Sequence, residues 1–183
     1  MTKLSNMVSS ELIQRIKETA YLRGEFTTRS GQITDYYIDK YLFGTQPDIL
    51  KLVATEVTKI LPSLDTFDCL AAPELGAVTI TAAIAIAINK PFVIVRKQQK
   101  GYGTNQLIEG QYSAEDKMII IEDVITTGGA ALAALATLRK ANVNVTEIIG
   151  IINREEGGLE AIQKEGVIGK ALITATMLRL SDG

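Results

Sequence analysis

The sequence predicts an α/β fold with an open, mainly parallel sheet flanked by helices, and three observations support that prediction. Short runs of branched apolar residues recur along the chain, as at residues 118–121 and 145–152. Helical patterns such as residues 130–141 alternate with these runs. The runs are also continuously apolar, which is typical of strands buried on both faces in parallel βαβ units. The 183 residues are enough for one domain with a sizeable core.

The N-terminal part of the chain does not share this alternation. Apolar residues at helical spacing, from Leu4 to Ala20, predict an amphipathic first helix that ends before Gly24. Residues 27–39 then contain a Ser30-Gly31 turn between two short extended pieces. This pattern favours a hairpin that follows the first helix.

From Pro47 onward, the alternation of helices and strands runs through the chain. A helix that starts after Pro47 and closes at Pro62 carries its apolar residues at helical spacing. The other predicted elements are strands at residues 68–72 and 92–96, a weaker strand within residues 167–175, and helices at residues 76–89 and 155–165.

Residues 97–117 interrupt this alternation. The stretch is about twenty residues long, and connections of that length inside a compact domain are usually functional lids or disordered segments. It is rich in glycine and polar residues and begins beside Arg96, Lys97 and Lys100. We therefore expect a long, flexible, basic loop that belongs to a functional site.

Composition excludes several classes of function. A formal net charge of -2 argues against non-specific nucleic-acid binding. The chain has no histidine, so it lacks the usual hydrolase triads and the commonest zinc ligand, and we interpret the single cysteine, Cys69, as a buried thiol. The longest nearly apolar run, residues 76–88, is too short to cross a membrane. With no secretory signal pattern, we expect a cytoplasmic protein.

The most informative local pattern lies in residues 118–138. An apolar strand leads to two adjacent carboxylates, Glu122 and Asp123, and residues 126–129 (Thr-Thr-Gly-Gly) then open a helix. Ligands of open α/β sheets bind at the carboxyl ends of strands, and a helix start favours an anion. A bare phosphate would be repelled by the two acids, whereas a ribose 5-phosphate would offer them its hydroxyls. The simpler alternative is an acidic helix cap followed by a turn.

Residues 121–129 resemble the phosphoribosyl pyrophosphate (PRPP) binding motif of type I phosphoribosyltransferases. Three further segments are similar to orotate phosphoribosyltransferases: residues 26–39 resemble the N-terminal base-binding segment, residues 96–103 the catalytic loop, and residues 152–154 a late strand end with an arginine. The resemblance runs from about Leu12 to Met177 and therefore covers nearly the whole chain. It implies a type I phosphoribosyltransferase-like fold.

The resemblance implies roles for individual residues. The PRPP-binding residues would be Arg96, Lys97, Lys100, Tyr102, Glu122, Asp123, Val124, Ile125, Thr126, Thr127, Gly128, Gly129 and Ala130. The orotate-binding residues would be Thr126, Arg154, Arg29, Tyr37 and Ile38, and the catalytic residues Lys100, Lys97 and Asp123.

The implied reaction transfers the 5-phosphoribosyl group from PRPP to orotate and gives orotidine 5'-monophosphate and pyrophosphate, a step of pyrimidine biosynthesis. The implied cofactor is Mg²⁺, which PRPP carries to a position near Asp123 without direct protein ligands. The implied assembly is a homodimer whose loop reaches the neighbouring site, with no nucleic-acid or membrane partner. We expect one domain of residues 1–183, with a helix and base-binding hood in residues 1–45 and an α/β core in residues 46–183.

Three positions depart from the family pattern. Tyr102 stands where many members have histidine, Leu75 stands in the pyrophosphate turn (residues 72–76) where some have lysine, and Ala130 replaces a common hydroxyl residue. Pyrophosphate contacts are therefore expected to be fewer.

Two alternatives stay open at this point. A purine phosphoribosyltransferase would share the motif of residues 127–129. A non-catalytic PRPP-sensing regulator would share the fold, but it generally needs a DNA-binding module, and the residues before Gly24 have room for only one helix.

Overall fold

The computed structural model describes residues 8–27, 31, 33–98 and 106–180. The helices are α1 (Ser10–Ala20), α2 (Lys40–Gly44), α3 (Pro47–Thr58), α4 (Ala77–Ile88), α5 (Gly129–Lys140), α6 (Gly158–Lys164) and α7 (Ala175–Leu180). The strands are β1 (Tyr21–Thr27), β2 (Ile33–Ile38), β3 (Cys69–Pro73), β4 (Phe92–Val95), β5 (Ile108–Glu109), β6 (Lys117–Ile125), β7 (Asn144–Asn153) and β8 (Ile168–Thr174). Five residues singled out from the sequence lie outside the described residues: Leu4, Arg29, Ser30, Lys100 and Tyr102.

The central sheet has six strands in the order β5-β4-β3-β6-β7-β8. All neighbouring pairs from β4 to β8 are parallel, and β5 pairs with β4 in antiparallel fashion. The carboxyl ends of the five parallel strands therefore meet at one edge of the sheet. The predicted α/β class, with its mainly parallel sheet, is confirmed.

The helices cover both faces of this sheet. On β6, Ile119 and Ile121 belong to a core that includes residues of α1, α3, α4 and α7, whereas Met118 and Ile120 belong to a core with α5 and α6. Successive side chains of a strand point to opposite faces, so an uninterrupted apolar run supplies both cores at once. This explains why the strands appear in the sequence as continuous rather than alternating apolar runs.

The predicted hairpin is also present, with different bounds. β1 pairs with β2 in antiparallel register from Tyr21 opposite Ile38 to Thr27 opposite Ile33. β1 starts at Tyr21, directly after α1, and not near Thr27 as the sequence indicated. At the other end of α1, the Ser9 hydroxyl accepts a hydrogen bond from Leu12 N at 3.3 Å, so this cap fixes the helix start and leaves Val8 before it.

Three short elements were not predicted: α2, β5 and α7. Each is too short for a hydrophobic period to show, and local hydrogen bonds hold them instead. Asp39 caps α2 by accepting hydrogen bonds from Tyr41 N and Leu42 N. β5 lies inside the predicted loop, where the Arg96 amide donates to Leu107 O at 2.8 Å just beyond the β4–β5 pairing. Residues 99–105 of the loop expected at residues 97–117 lie outside the described residues, and the flexibility of that loop stays a prediction.

Strand β6 continues four residues past the predicted end at Ile121. Glu122 lies opposite Gly150 and Val124 opposite Ile152 of β7. Glu122 and Asp123 therefore lie within a central strand and not after its end, because the parallel pairing with β7 continues past them. Their polar side chains hide this continuation in the sequence.

Two interpretations from composition agree with the structure. Cys69 is buried in β3, and burial raises the pKa of its thiol to about 11, so it is a core residue and not a nucleophile. Among the described residues, no helix combines the length and the apolar character needed to span a bilayer.

Candidate active site

The candidate site lies at the edge of the sheet where the parallel strands end. Pro73 lies opposite Val95 and Ile125 opposite Asn153, so the segments that follow β3, β4, β6 and β7 leave the sheet side by side. Those segments carry most of the described residues that the sequence singled out. The 72–76 turn, the start of the basic loop, the segment after β6 and Arg154 therefore lie at the same edge of the sheet.

The centre of the site is the acid pair, Glu122 and Asp123. Their exposed fractions are 4% and 1%. Asp123 Oδ1 accepts a hydrogen bond from Val124 N at 2.6 Å, and Glu122 Oε1 accepts one from Asp123 N at 3.3 Å. Glu122 Oε2 has no hydrogen-bond partner among the described residues. Buried polar atoms are normally satisfied, so this oxygen indicates a place for a polar group from a ligand or solvent.

Burial raises the pKa of the Glu122 carboxyl well above its usual value, and the negative charge of Asp123 raises it further. The Glu122 carboxyl can therefore hold a proton and serve as a hydrogen-bond donor in this site.

The cation that compensates this charge is Lys40, which the sequence reasoning did not identify. Lys40 Nζ lies 2.9 Å from Asp123 Oδ2. Burial acts to lower the pKa of the Lys40 ammonium group, but the attraction of Asp123 outweighs burial and the pKa is raised. Lys40 is the first residue of α2, immediately after its cap Asp39. No local sequence signal connects it with Asp123, because only the folding of the N-terminal segment over the sheet brings them together.

The 72–76 turn packs against this ion pair. A Cβ atom at Gly76 would overlap Asp123 Oδ2 and would lie 3.1 Å from Lys40 Cδ, so only glycine leaves room for both side chains. The turn also holds the start of the basic loop, because Lys97 N donates to Glu74 Oε1 at 2.7 Å. Leu75 is 65% exposed, so the turn presents an apolar side chain to its surroundings.

The segment of residues 126–130, here called the phosphate loop, connects β6 to α5. Gly128 occupies the N-cap of α5 with φ +83° and makes no side-chain capping bond. Thr127, Gly129 and Ala130 are exposed, whereas the Thr126 side chain is half-buried. An uncapped helix start with exposed neighbours suits an anion, since its amides have no intrahelical partners.

Two other residues assigned to PRPP binding, Val124 and Ile125, are more buried than most of the phosphate loop. Ile125 is 1% exposed and packs into a core, and Val124 is partly buried against the other core. The Ile125 side chain is therefore not available to a ligand at this edge.

A second glycine contact shapes the phosphate loop. A Cβ atom at Gly158, the first residue of α6, would collide with Thr126 O and would lie 2.9 Å from Gly128 N. The backbones of the loop and of α6 therefore touch directly. This contact fixes the loop from behind, and the sequence did not indicate it.

Arg154 lies beside the phosphate loop, and its amide donates to Ile125 O at 2.8 Å. Its side chain is only 12% exposed, with Nε 2.9 Å from Glu156 Oε1. The guanidinium carbon also lies 5.0 Å from the ring centre of Tyr36, within the range of a cation–π contact. Arg154 is thus a restrained, mostly buried cation and not a mobile surface residue.

The hairpin presents alternate side chains to its two sides. Tyr36 is 4% exposed, whereas Tyr37 is 42% exposed and lies 5.6 Å from the ring centre of Phe26. Tyr36 therefore packs inward, whereas Tyr37 presents its ring outward. Ile38 is buried in the core at 5% exposure, so its side chain does not line an open surface.

Comparisons with known proteins identify the family of the chain. Residues 44–168 match the phosphoribosyl transferase domain family. The chain is 39% identical over 172 residues to the orotate phosphoribosyltransferase of Methanocella arvoryzae, covering 93% of this chain and 97% of the relative.

Solved structures show the same likeness. Crystal structures of Mycobacterium tuberculosis orotate phosphoribosyltransferase superpose with a TM-score of 0.82 at 27% identity and, for the complex with PRPP, 0.79 at 25% identity. Each comparison covers 93% of this chain and 98% of the other. A parallel sheet, an uncapped helix start and a buried acid pair at its carboxyl edge therefore coincide with close sequence similarity, and the chain belongs to the orotate phosphoribosyltransferase family.

Proposed function

We propose that this protein transfers the 5-phosphoribosyl group from PRPP to orotate, releasing pyrophosphate and forming orotidine 5'-monophosphate for pyrimidine synthesis. Membership of the family supports this reaction. The observation that carries it in the structure is the acid pair, with a buried carboxyl oxygen lacking a described partner, directly before an uncapped helix start. A sugar phosphate presents hydroxyls and a dianion, which are the two kinds of group that an acid pair and a helix start can bind.

In this proposal the phosphate loop binds the 5-phosphate of PRPP. The amides at the start of α5 and the hydroxyls of Thr126 and Thr127 donate hydrogen bonds to the phosphate oxygens. The acid pair binds the ribose diol, with the charged Asp123 accepting from one hydroxyl and Glu122 exchanging a hydrogen bond with the other. Because the acids sit in a central strand, they hold the sugar rigidly against the sheet.

The family also implies Mg²⁺, and the residues present fit a metal that arrives with the substrate. No group of three or more acidic or cysteine side chains that could hold a metal occurs among the described residues. Mg²⁺ commonly binds one or two carboxylates together with substrate phosphates and water. Bound beside Asp123, it would neutralise charge on the pyrophosphate. A dedicated protein cage is not needed for that chemistry.

The reaction breaks the bond between the anomeric carbon and pyrophosphate and forms a bond from that carbon to a ring nitrogen of orotate. Positive charge develops on the ribose, and the buried carboxylate of Asp123 stabilises it. Negative charge develops on the leaving pyrophosphate, and Arg96, Lys97 and Lys100 are the cations we assign to it. Closing the basic loop over the site would exclude water and limit hydrolysis of PRPP.

We assign orotate to the space beside Arg154 and the hairpin. The planar guanidinium group suits the carboxylate of orotate, and orotate would take the place of Glu156 as its partner. Tyr37 offers an exposed ring on the same hairpin, and Arg29 remains assigned from the sequence alone. A homodimer whose loop completes the neighbouring site, and a cytoplasmic location, also remain predictions from the sequence.

The first prediction concerns the base. With PRPP and Mg²⁺, the purified protein should convert orotate to orotidine 5'-monophosphate. The conversion is measured by the loss of orotate absorbance and by the release of pyrophosphate. Adenine, hypoxanthine and uracil should give no product, because they lack a carboxylate for Arg154. Turnover of a purine would assign a different reaction, and PRPP binding without turnover of any base would favour a sensor.

The second prediction concerns the acid pair. Asp123→Asn should raise the KM for PRPP by about 10- to 100-fold, the loss expected for a hydrogen bond to a charged group, and should change the KM for orotate by less than about twofold. Steady-state kinetics with each substrate varied in turn would measure both values. An equal rise in both constants would contradict a role for Asp123 in ribose binding.

The third prediction concerns the support of the phosphate loop. Gly158→Ala should weaken PRPP binding by roughly tenfold or more, because the added methyl group displaces the loop backbone. Gln163→Ala is the control, since this residue lies in the same helix, α6, with an exposed side chain. Titration calorimetry should show wild-type affinity for Gln163→Ala. Equal affinities for the two variants would refute a supporting role for Gly158.

A further inference from the structure

Lys40 contacts the acid pair but has no role in the reaction proposed above. It belongs to the N-terminal segment, yet its ammonium group forms an ion pair with the most deeply buried carboxylate of the site, Asp123, at 2.9 Å. Its own side chain is 33% exposed, so it reaches inward from the site surface. The same side chain passes within van der Waals distance of the place where Gly76 lacks a Cβ atom.

Three separate segments therefore meet at one ion pair: the start of α2, the 72–76 turn and the end of β6. A glycine at position 76 is required for this meeting, since any larger residue would displace Asp123 or Lys40. The turn itself contributes no cation, because its residues are Ala72, Pro73, Glu74, Leu75 and Gly76. Lys40 is accordingly the cation that the structure describes in contact with the acid pair.

The contacts of Asp123 explain how Lys40 affects the orientation of its carboxylate. The carboxylate of Asp123 lies beside that of Glu122 in a buried position, where repulsion between the acids would otherwise act on it. Lys40 contacts Oδ2, while Val124 N contacts Oδ1, so the carboxylate is held from both sides in one orientation. That orientation is what a diol needs in order to meet a fixed acceptor.

We propose that Lys40 is a positioning residue for PRPP, which holds the Asp123 carboxylate oriented toward the ribose diol. This inference rests on the proposed function for the identity of the ligand. It gives α2, a helix of five residues, a specific task at the reaction centre. Lys40 acts through Asp123, so its contribution should disappear when Asp123 is already neutral.

The test is a double-mutant cycle read by binding of PRPP and Mg²⁺ in the absence of any base. Titration calorimetry on Lys40→Met should show PRPP affinity reduced on the order of tenfold, the loss of one charged contact. Lys40→Arg, which keeps the charge, should recover most of that loss. In the Asp123→Asn background, Lys40→Met should cause less than about a twofold further change, because coupled residues are not additive.

A matched control separates this effect from general stability. Lys90 is also partly buried and donates to Phe67 O at 2.9 Å, but it precedes β4 and so lies at the opposite edge of the sheet. Lys90→Met should leave PRPP affinity unchanged. Thermal unfolding of all variants would show which are folded at the temperature of the titration, and Lys40→Arg and the double variant keep the test valid if Lys40→Met unfolds.

The outcomes distinguish the role of Lys40 from the proposed function. Wild-type affinity in folded Lys40→Met, or an additive loss in the Asp123→Asn background, would overturn the role of Lys40 and leave the proposed function intact. Failure of the wild-type protein to bind PRPP would remove both. In kinetic assays, the expected pattern is a raised KM for PRPP with the KM for orotate changed by less than about twofold, whereas a purely structural role would lower the active fraction and leave both constants unchanged.

Discussion

Two adjacent carboxyl groups buried in a central strand are expensive in free energy unless partners compensate them, and much of this structure serves that requirement. The Glu122 carboxyl has a raised pKa, and Asp123 is paired with Lys40. Gly76 lacks a side chain at the point where this pair needs space. Among the described residues, Glu122 Oε2 has no hydrogen-bond partner, and in the proposed function it is the atom that meets a sugar hydroxyl.

The parallel sheet makes this arrangement possible. Strands β3, β4, β6 and β7 end at one edge, and each delivers a different kind of group there: a tight turn, basic residues, an acid pair with an uncapped helix start, and a restrained arginine. The hairpin and α2 close over that edge and bring Tyr36 to Arg154 and Lys40 to Asp123. Asp123 and Arg154 come from the C-terminal half of the chain, whereas Lys40 and Tyr36, which contact them, come from the N-terminal half.

The sequence predicted the parts of the molecule whose signal is local. Buried strands, the helices between them and the acid pair before the 126–129 turn all show as runs, periods or adjacent residues. The start of α1 was displaced by the Ser9 cap, and β6 extended through its acids because β7 supplies the ladder. The short elements α2, β5 and α7 have too few residues for a period to appear.

What the sequence did not predict depends on contacts between distant segments. Lys40 with Asp123, Gly158 with the phosphate loop, and Tyr36 with Arg154 join residues that no spacing rule connects. Ile38 was assigned to the base by resemblance, and its burial in the core became visible only in the fold. The structure therefore adds most for residues whose roles depend on contacts between segments that are distant in the sequence.

The most direct test of this account is a crystal structure of the protein with ribose 5-phosphate. The account predicts density for the phosphate at the amides of residues 128–130 and density for the two ring hydroxyls within hydrogen-bond distance of Glu122 and Asp123. Phosphate bound elsewhere, or a sugar whose hydroxyls do not contact either acid, would contradict the central claim.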